Sequence, residues 1–304
     1  MSDLYPFENN FLELNGLKYH YLDEGQGDPV VMVHGNPSWS FYYRNLAKAL
    51  RDDYRVIVPD HIGCGLSDKP GDEEYSFSFK QRVDDLDALL EHLEVRERIT
   101  LVVHDWGGMI GMAYASRYPE RIARLVILNT AAFHLPPGKK FPLALRICRD
   151  TAIGAFLVHR LNMFALMAAR VGCKRNPMSE ALRGAYCVPY DTAADRLATL
   201  RFVQDIPLKP GDRGYDLISE VEAGLDRFAD LPMTICWGLK DFVFDKHFLK
   251  EWQRRFPNAA VHAFADCGHY ILEDASDEVI PIIEQFLAAN PLEEVTAASP
   301  DEKA

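Results

Sequence analysis

The chain has 304 residues, of which 48% are hydrophobic and 26% are charged, and its formal net charge at pH 7 is −12. A chain of this size can bury the core of one α/β unit, so no second module is required. The net charge and the absence of a clustered basic face argue against a nucleic-acid partner, because phosphate recognition depends on Lys and Arg.

Short apolar segments alternate with amphipathic ones along the chain. The first two segments, 11–14 and 17–23, predict an antiparallel pair joined by an Asn15-Gly16 turn. Six further apolar segments predict buried strands of a parallel sheet, at 30–33, 55–58, 100–103, 124–128, 233–237 and 260–264. Helical spacing of apolar residues predicts helices at 79–93, 107–117 and 277–289.

The interval 135–211 breaks this alternation, because it contains helical patterns and no convincing strand. It follows the predicted strand at 124–128, which indicates a helical cap inserted into a core formed by 1–134 and 212–290. The acidic segment 291–304 is rich in small residues and predicts a disordered tail.

Cysteine usage and hydropathy predict a cytoplasmic protein. The six cysteines show neither paired spacing nor the spacing of metal ligands, which predicts reduced thiols and no metal site. The first ten residues lack the positive start and apolar core of a signal peptide. The longest apolar stretch, 157–171, includes two arginines and is too short and polar to span a membrane.

The sequence VVHDWGG at 102–108 joins a predicted strand to a predicted helix. This pattern is typical of the nucleophile elbow of α/β-hydrolases, in which a strained turn lifts the central side chain above the sheet. The central residue here is Asp105. A carboxylate that attacks an sp3 carbon expels a leaving group and forms an alkyl ester on the enzyme, whereas a serine would indicate an esterase.

Two further residues stand where this fold places the partners of the nucleophile. Asp241 follows the strand at 233–237, and His269 follows the strand at 260–264, in the order nucleophile, acid, histidine. We expect His269 to act as the base and Asp241 to fix its tautomer and stabilise the imidazolium. Each residue alone is compatible with an ordinary turn, capping or packing role, but the three matches in order favour a triad.

Asn36 and Trp106 are candidates for binding the leaving group. Asn36 lies in the loop that supplies part of the oxyanion hole in this fold, and Trp106 follows the nucleophile. Their N–H groups would cradle a departing halide or carboxylate in a dry pocket. The alternatives are a turn role for Asn36 and core packing for Trp106. No metal or organic cofactor is implied, because a carboxylate nucleophile and an imidazole suffice.

These motifs together resemble the haloalkane dehalogenase family of α/β-hydrolases over about residues 12–286, through HGNP at 34–37, DWGG at 105–108, Asp241 and GH at 268–269. The Asn and Trp pair, with its acid after the later strand, is similar to the third subfamily. Asn129 and Thr130 stand where the second subfamily would carry a glutamate. The resemblance implies the α/β-hydrolase fold, with a mostly parallel sheet, helices on both faces and a helical cap insertion.

Other segments look like the β-lactone decarboxylases of bacterial long-chain olefin synthesis, namely PDHIGCGLSDKP at 59–70, YCVPY at 186–190, RFVQDIP at 201–207 and DFVFD at 241–245. This resemblance implies conversion of a β-lactone to a cis-alkene and CO2, and assembly with other enzymes of olefin synthesis. The alternative is a haloalkane dehalogenase that hydrolyses an alkyl halide. An epoxide or ester hydrolase and a non-catalytic lipid-binding scaffold are further alternatives, and the oligomeric state is open.

The predicted cap is apolar enough to favour a hydrophobic alkyl substrate, since each buried methylene is worth about 0.8 kcal/mol. The residues concerned are Phe141, Leu143, Leu145, Ile147, Phe156, Leu157, Leu161, Phe164, Leu166 and Met167. For any one of them, packing of the cap on the core is the alternative. Lys240, beside Asp241, is either solvated or placed to contact a substrate carboxylate.

Overall fold

Eight β-strands form one sheet in the computed structural model, which describes residues 4–292. The strands are β1 (Asn10–Leu14), β2 (Leu17–Glu24), β3 (Pro29–Val33), β4 (Arg55–Pro59), β5 (Ile99–Asp105), β6 (Ile122–Thr130), β7 (Met233–Gly238) and β8 (Ala260–Phe264). Their order is β1-β2-β4-β3-β5-β6-β7-β8. β2 is antiparallel to β1 and β4, and the other neighbours are parallel. The predicted, mostly parallel sheet is therefore confirmed.

Twelve α-helices lie within residues 4–292. They are α1 (Arg44–Leu50), α2 (Phe79–His92), α3 (Trp106–Arg117), α4 (Leu143–Asp150), α5 (Ala152–His159), α6 (Met163–Val171), α7 (Glu180–Cys187), α8 (Leu197–Gln204), α9 (Tyr215–Ala223), α10 (Lys246–Arg255), α11 (Ile271–Asp274) and α12 (Ser276–Ala289). The helices predicted at 79–93, 107–117 and 277–289 correspond to α2, α3 and α12. The predicted tail lies outside the described residues from residue 293 onward.

The central strands are buried on both faces. In β3, Val31 and Val33 pack into one apolar cluster, whereas Val30 and Met32 pack into the other. This alternation follows from the two-residue repeat of a strand, and helices cover both faces. Because the strands from β3 to β8 are parallel, their carboxyl ends share one edge of the sheet, where ligands bind in open α/β sheets.

β5 and β6 extend further beyond their predicted ends than the other strands do. β5 continues to Asp105 and β6 continues to Thr130, because these residues pair across the sheet after a register shift. The Thr130 hydroxyl also donates a hydrogen bond to the Asp105 carbonyl. The extra pairing makes Asp105 the last residue of its strand and holds it rigidly.

Helices α4 to α8 lie between β6 and β7, and residues 143–204 contain no strand. These helices fall within the interval predicted as a cap, and the boundaries at 134/135 and 211/212 stay a prediction. No single helix within residues 4–292 is long and apolar enough to cross a membrane. Within this range, only α5 and α6 taken together are long and apolar enough, and the pair is bent by 74° at the break between the two helices.

A buried ion pair connects the core to the end of α8. Nη1 of Arg82, in α2, lies 3.5 Å from Oδ2 of Asp205, and the two side chains are 0% and 5% exposed. The same Oδ2 accepts a hydrogen bond of 2.6 Å from the backbone N–H of Phe79. Burial lowers the pKa of Arg82 and raises that of Asp205, so desolvation opposes the pairing of the charges.

We expect Asp205→Asn to lower the free energy of unfolding by about 3–5 kcal/mol, because it leaves a buried guanidinium without its counter-charge. Asp72→Asn is the matched control. It removes the partner of Arg201, also in α8, where the side chains are 33% and 48% exposed. Its cost should not exceed about 1 kcal/mol. Urea unfolding followed by circular dichroism measures both, and equal losses would contradict the inferred role of burial.

Candidate active site

Asp105 lies on a tight turn between β5 and α3. Its φ is +52° and its ψ is −126°, a conformation that non-glycine residues rarely adopt. Two glycines, one after Asp105 and one in the loop after β3, let the two segments approach closely at this turn. A Cβ at Gly107 would lie 1.9 Å from the Val33 carbonyl oxygen, and a Cβ at Gly35 would lie 2.0 Å from Oδ1 of Asp105. Asp105 therefore occupies a strained position that the surrounding backbone maintains.

The Asp105 carboxylate is almost enclosed, with the residue only 8% exposed. Oδ1 accepts a hydrogen bond of 2.7 Å from the backbone N–H of Asn36. Burial raises the pKa of Asp105, while the charge of His269 and the backbone N–H groups of Asn36 and Trp106 oppose that rise. These groups stabilise the ionised carboxylate that nucleophilic attack requires.

His269 lies between two carboxylates. Its Nδ1 is 2.8 Å from Oδ2 of Asp241, and its Nε2 is 3.7 Å from Oδ2 of Asp105. Burial alone would lower the pKa of His269, but the charge and hydrogen bond of Asp241, together with the charge of Asp105, raise it above 6.5. The structure therefore brings together the three residues predicted as a triad, in an order of contacts suited to base catalysis.

Two residues that support this arrangement have no assigned role in the sequence analysis. Nδ2 of Asn129 lies 3.1 Å from Oδ2 of Asp241, and Oδ1 of Asn129 accepts a hydrogen bond of 2.8 Å from the backbone N–H of Gly238. His104, which precedes Asp105, has its Nε2 2.9 Å from the carbonyl oxygen of His269. Asn129 therefore orients the acid, and His104 fixes the loop that carries the histidine.

Both predicted leaving-group residues contact cap helix α8. Nδ2 of Asn36 donates a hydrogen bond of 3.2 Å to the carbonyl oxygen of Thr199. The Trp106 ring meets the Phe202 ring edge to face at 5.4 Å. The Arg82 guanidinium lies 3.6 Å from the centre of the Phe202 ring on α8. One short helix, held by the Arg82 and Asp205 pair, therefore sets the position of both residues.

A cavity that is partly open to solvent lies above Asp105. Asn36, Asp105, Trp106 and His269 line its polar end, and most of the other lining residues are apolar. Phe133, Ile218 and Phe248 come from the core, and Leu145, Phe164 and Val203 come from the cap segment. The enclosure is suited to an alkyl group that ends at a carboxylate nucleophile.

The expectation that the ten apolar cap residues roof the pocket is only partly correct. Phe141, Leu145 and Phe164 line the cavity. Six of the ten are exposed instead, namely Leu143, Ile147, Phe156, Leu161, Leu166 and Met167. Helical periodicity cannot distinguish the cavity-facing side from the outer side when both sides are apolar. Lys240 is exposed and is not among the residues that line the cavity, which favours the solvated alternative.

Comparison with known proteins places this geometry in a family. The family model described as the alpha/beta hydrolase fold matches residues 28–276. The chain belongs to the α/β-hydrolase family. It is 62% identical to the cis-3-alkyl-4-alkyloxetan-2-one decarboxylase of Shewanella oneidensis, over 97% of this chain and 96% of that protein. It is 31% identical to haloalkane dehalogenase 2 of Mycobacterium tuberculosis, over 93% of this chain and 96% of that protein.

A solved structure has the same fold. A haloalkane dehalogenase from Agrobacterium tumefaciens C58 superposes on this α/β-hydrolase with a TM-score of 0.84 and 22% identity, over 96% of this chain and 100% of that chain. The predicted fold class, the relation to both enzyme groups and the prediction that the chain is an enzyme are confirmed. The individual roles of Asp105, Asp241, His269, Asn36 and Trp106 stay predictions.

The contact between Asp241 and His269 predicts how the imidazole titrates. We expect Asp241→Asn to lower the pKa of His269, because the aspartate charge favours the protonated ring. The imidazolium of the variant should therefore lose its proton at lower pH than that of the unmodified protein. NMR titration of the ring protons measures this change. Asp226→Asn, at an exposed position, is the control, and an unchanged midpoint in Asp241→Asn would contradict the inferred coupling.

The anion-binding role of Trp106 can be tested while an aromatic ring is retained. We expect Trp106→Phe to slow departure of a poor leaving group by on the order of 10²-fold, the usual cost of losing one anion-hole donor. Single-turnover kinetics measures this step. Trp39→Phe is the matched control, because Trp39 is also buried, its Nε1 has no hydrogen-bond partner within residues 4–292, and it does not line the cavity. Equal rates in both variants would place the anion site elsewhere.

Proposed function

We propose that this chain is a β-lactone decarboxylase that converts cis-3-alkyl-4-alkyloxetan-2-ones to cis-alkenes and CO2. The observation that carries the proposal is the 62% identity, over 97% of the chain, to the Shewanella oneidensis protein of that name. The apolar cavity that ends at the Asp105 carboxylate supports it, since the substrate has two alkyl arms and one reactive ring. A cytoplasmic location and assembly with other enzymes of olefin synthesis stay predictions.

In the proposed first step, Asp105 attacks ring carbon C4. A bond forms between a carboxylate oxygen of Asp105 and C4, and the bond between C4 and the ring oxygen breaks. The ring oxygen keeps the bonding electrons and becomes part of a free carboxylate. Asn36 and Trp106 are the residues placed to receive that anion, because both line the polar end of the cavity.

In the proposed second step, the intermediate loses CO2. The bond between C3 and the carboxylate carbon breaks, its electrons form the double bond between C3 and C4, and the ester oxygen of Asp105 departs with its electron pair. Attack on C4 from the side opposite the ring oxygen leaves the new ester bond antiperiplanar to the bond between C3 and the carboxylate carbon. Elimination therefore needs no rotation, keeps both alkyl groups on the same side and regenerates the carboxylate. No water is consumed.

Haloalkane hydrolysis is the second candidate, and one feature of the site favours it. The backbone N–H of Asn36 donates a hydrogen bond to Oδ1 of Asp105, and the backbone N–H of Trp106 also lowers the pKa of this carboxylate. If water attacked an alkyl ester at this position, the same groups would stabilise the resulting oxyanion. His269, whose Nε2 is 3.7 Å from Oδ2 of Asp105, would serve as the base for that water. A displaced halide would occupy the site assigned above to the carboxylate.

Parallel turnover measurements distinguish the two candidates. A cis-β-lactone and a 1-bromoalkane of matched chain length are supplied to the same preparation, and alkene, alcohol and bromide are measured. We expect cis-alkene from the lactone at a rate that exceeds bromide release. Asp105→Ala should abolish both reactions, because the nucleophile is removed. Retention of more than about one per cent of activity in Asp105→Ala would contradict nucleophilic catalysis by this residue.

His269→Ala separates lyase from hydrolase within one turnover. A hydrolase without its base should accumulate an alkyl ester on Asp105, visible as an increase in protein mass equal to the alkyl group. The proposed lyase intermediate collapses without water, so His269→Ala should form no stable adduct from the lactone. Turnover in ¹⁸O-labelled water gives an independent result, since ester hydrolysis places solvent oxygen in Asp105 over repeated cycles. Label in Asp105 together with alcohol from the lactone would refute the lyase.

A further inference from the structure

Three cap helices expose large apolar side chains on the outside of the molecule. We call this the outer cap surface and define it by Leu143, Ile147, Ile153, Phe156, Leu166 and Met167, which are between 40% and 72% exposed. Helices α4, α5 and α6, which carry these residues, pack against one another in sequence. An exposed apolar area of this kind, on an otherwise well-packed protein, marks an interaction surface.

The charge of the chain is distributed unevenly along the sequence. Residues 135–211 contain 12 Lys and Arg against five Asp and Glu, a net charge of +7, and the rest of the chain therefore carries −19 of the total of −12. No acidic residue occurs between Asp150 and Glu180. Arg160 and Arg170 are exposed within this stretch and Arg146 is exposed just before it, and none of the three has an ion pair with a carboxylate among residues 4–292.

The outer cap surface adjoins the substrate cavity. Helices α4 and α6 turn Leu145 and Phe164 toward the cavity and Ile147 and Leu166 toward the outside. Phe242 lines the cavity and is itself 47% exposed, so it lies at the opening. The backbone oxygen of Phe242 accepts a hydrogen bond from Lys139 in the segment that leads into α4. The opening therefore lies near the start of the cap, beside the segment that leads into α4.

We propose that the protein docks on an anionic lipid bilayer through the outer cap surface. It then takes up its alkyl substrate from the membrane. The apolar side chains enter the interface, and the surrounding arginines contact lipid phosphates. The acidic core is repelled from the same surface, which orients the cap toward the lipid. Docking is interfacial, because α5 and α6 are bent by 74° and bury Gly154, Val158 and Ala165 against the protein.

Two other occupants fit the surface less well. A twofold contact between copies of this chain would place the same basic segment against itself, and the like charges would repel. Nucleic acid would match the arginines, but its phosphates would leave the apolar centre without a partner. A bilayer with anionic headgroups provides both an apolar phase and negative charge. The proposal relies on the proposed function only for the identity of the molecule taken up, and docking itself does not depend on it.

Vesicle flotation with the full-length protein tests the proposal. We expect binding to phosphatidylcholine vesicles that contain about one third phosphatidylglycerol, and little binding to pure phosphatidylcholine. Raising the ionic strength from about 0.05 to about 0.5 M should release much of the bound protein, because exposed charges are then screened. The readout requires no turnover, so its failure is distinguishable from failure of the proposed reaction.

Matched variants locate the contact. We expect Phe156→Ser to weaken binding by about tenfold, whereas Phe11→Ser, at a similarly exposed Phe on β1, should bind as the unmodified protein does. Arg170→Gln should weaken binding by about fivefold. Arg96→Gln, outside the cap between α2 and β5, should leave binding unchanged. Absence of binding to the anionic vesicles, or equal binding by Phe156→Ser and Phe11→Ser, would overturn the proposal. A smaller mass of Phe156→Ser by light scattering would overturn it in favour of contact between copies.

Discussion

The whole site depends on holding one negative charge in an apolar enclosure. Burial opposes ionisation of Asp105, and only the N–H groups and the imidazole that face its carboxylate offset that effect. Those groups belong to three separate segments, so the sheet must bring their ends together within hydrogen-bonding distance. Parallel strands achieve this because their carboxyl ends share an edge. The strained backbone at Asp105 is then maintained by the sheet and by glycines that admit the close approach of neighbouring chain.

The second requirement is a place for the anion that leaves. The residues available for it, Asn36 and Trp106, belong to the core, but each is positioned by α8. That helix is in turn joined to α2 by a pair of buried charges. Such a pair is a poor source of stability, because desolvation offsets much of the attraction, but it is sensitive to position. A displacement of α8 would therefore move the two residues that are placed to receive the leaving group.

Much of this arrangement could be predicted from the sequence, because Asp105, Asp241 and His269 each follow an apolar strand and topology brings strand ends together. Other parts could not. From the sequence, Asn129 is notable only as standing in place of another subfamily's glutamate, and its bond to Asp241 could not be predicted because the partner is more than a hundred residues away in the chain. Arginine is a residue type that is ordinarily solvated, yet Arg82 lies on the buried face of α2 and its side chain is fully buried. The direction of the cap side chains was likewise hidden, because α4 and α6 are apolar on two sides.

The dependence of Asn36 and Trp106 on α8 has an evolutionary consequence. A lid inserted between two strands is often regarded as a module that can be exchanged to change specificity while the chemistry below it is conserved. Here the lid supplies the carbonyl oxygen of Thr199 and the ring of Phe202 to the residues that would receive the leaving group. A chimera that carried a relative's lid would alter reactivity as well as substrate fit. Lineages that diverge in substrate should therefore change α8, Asn36 and Trp106 together rather than one at a time.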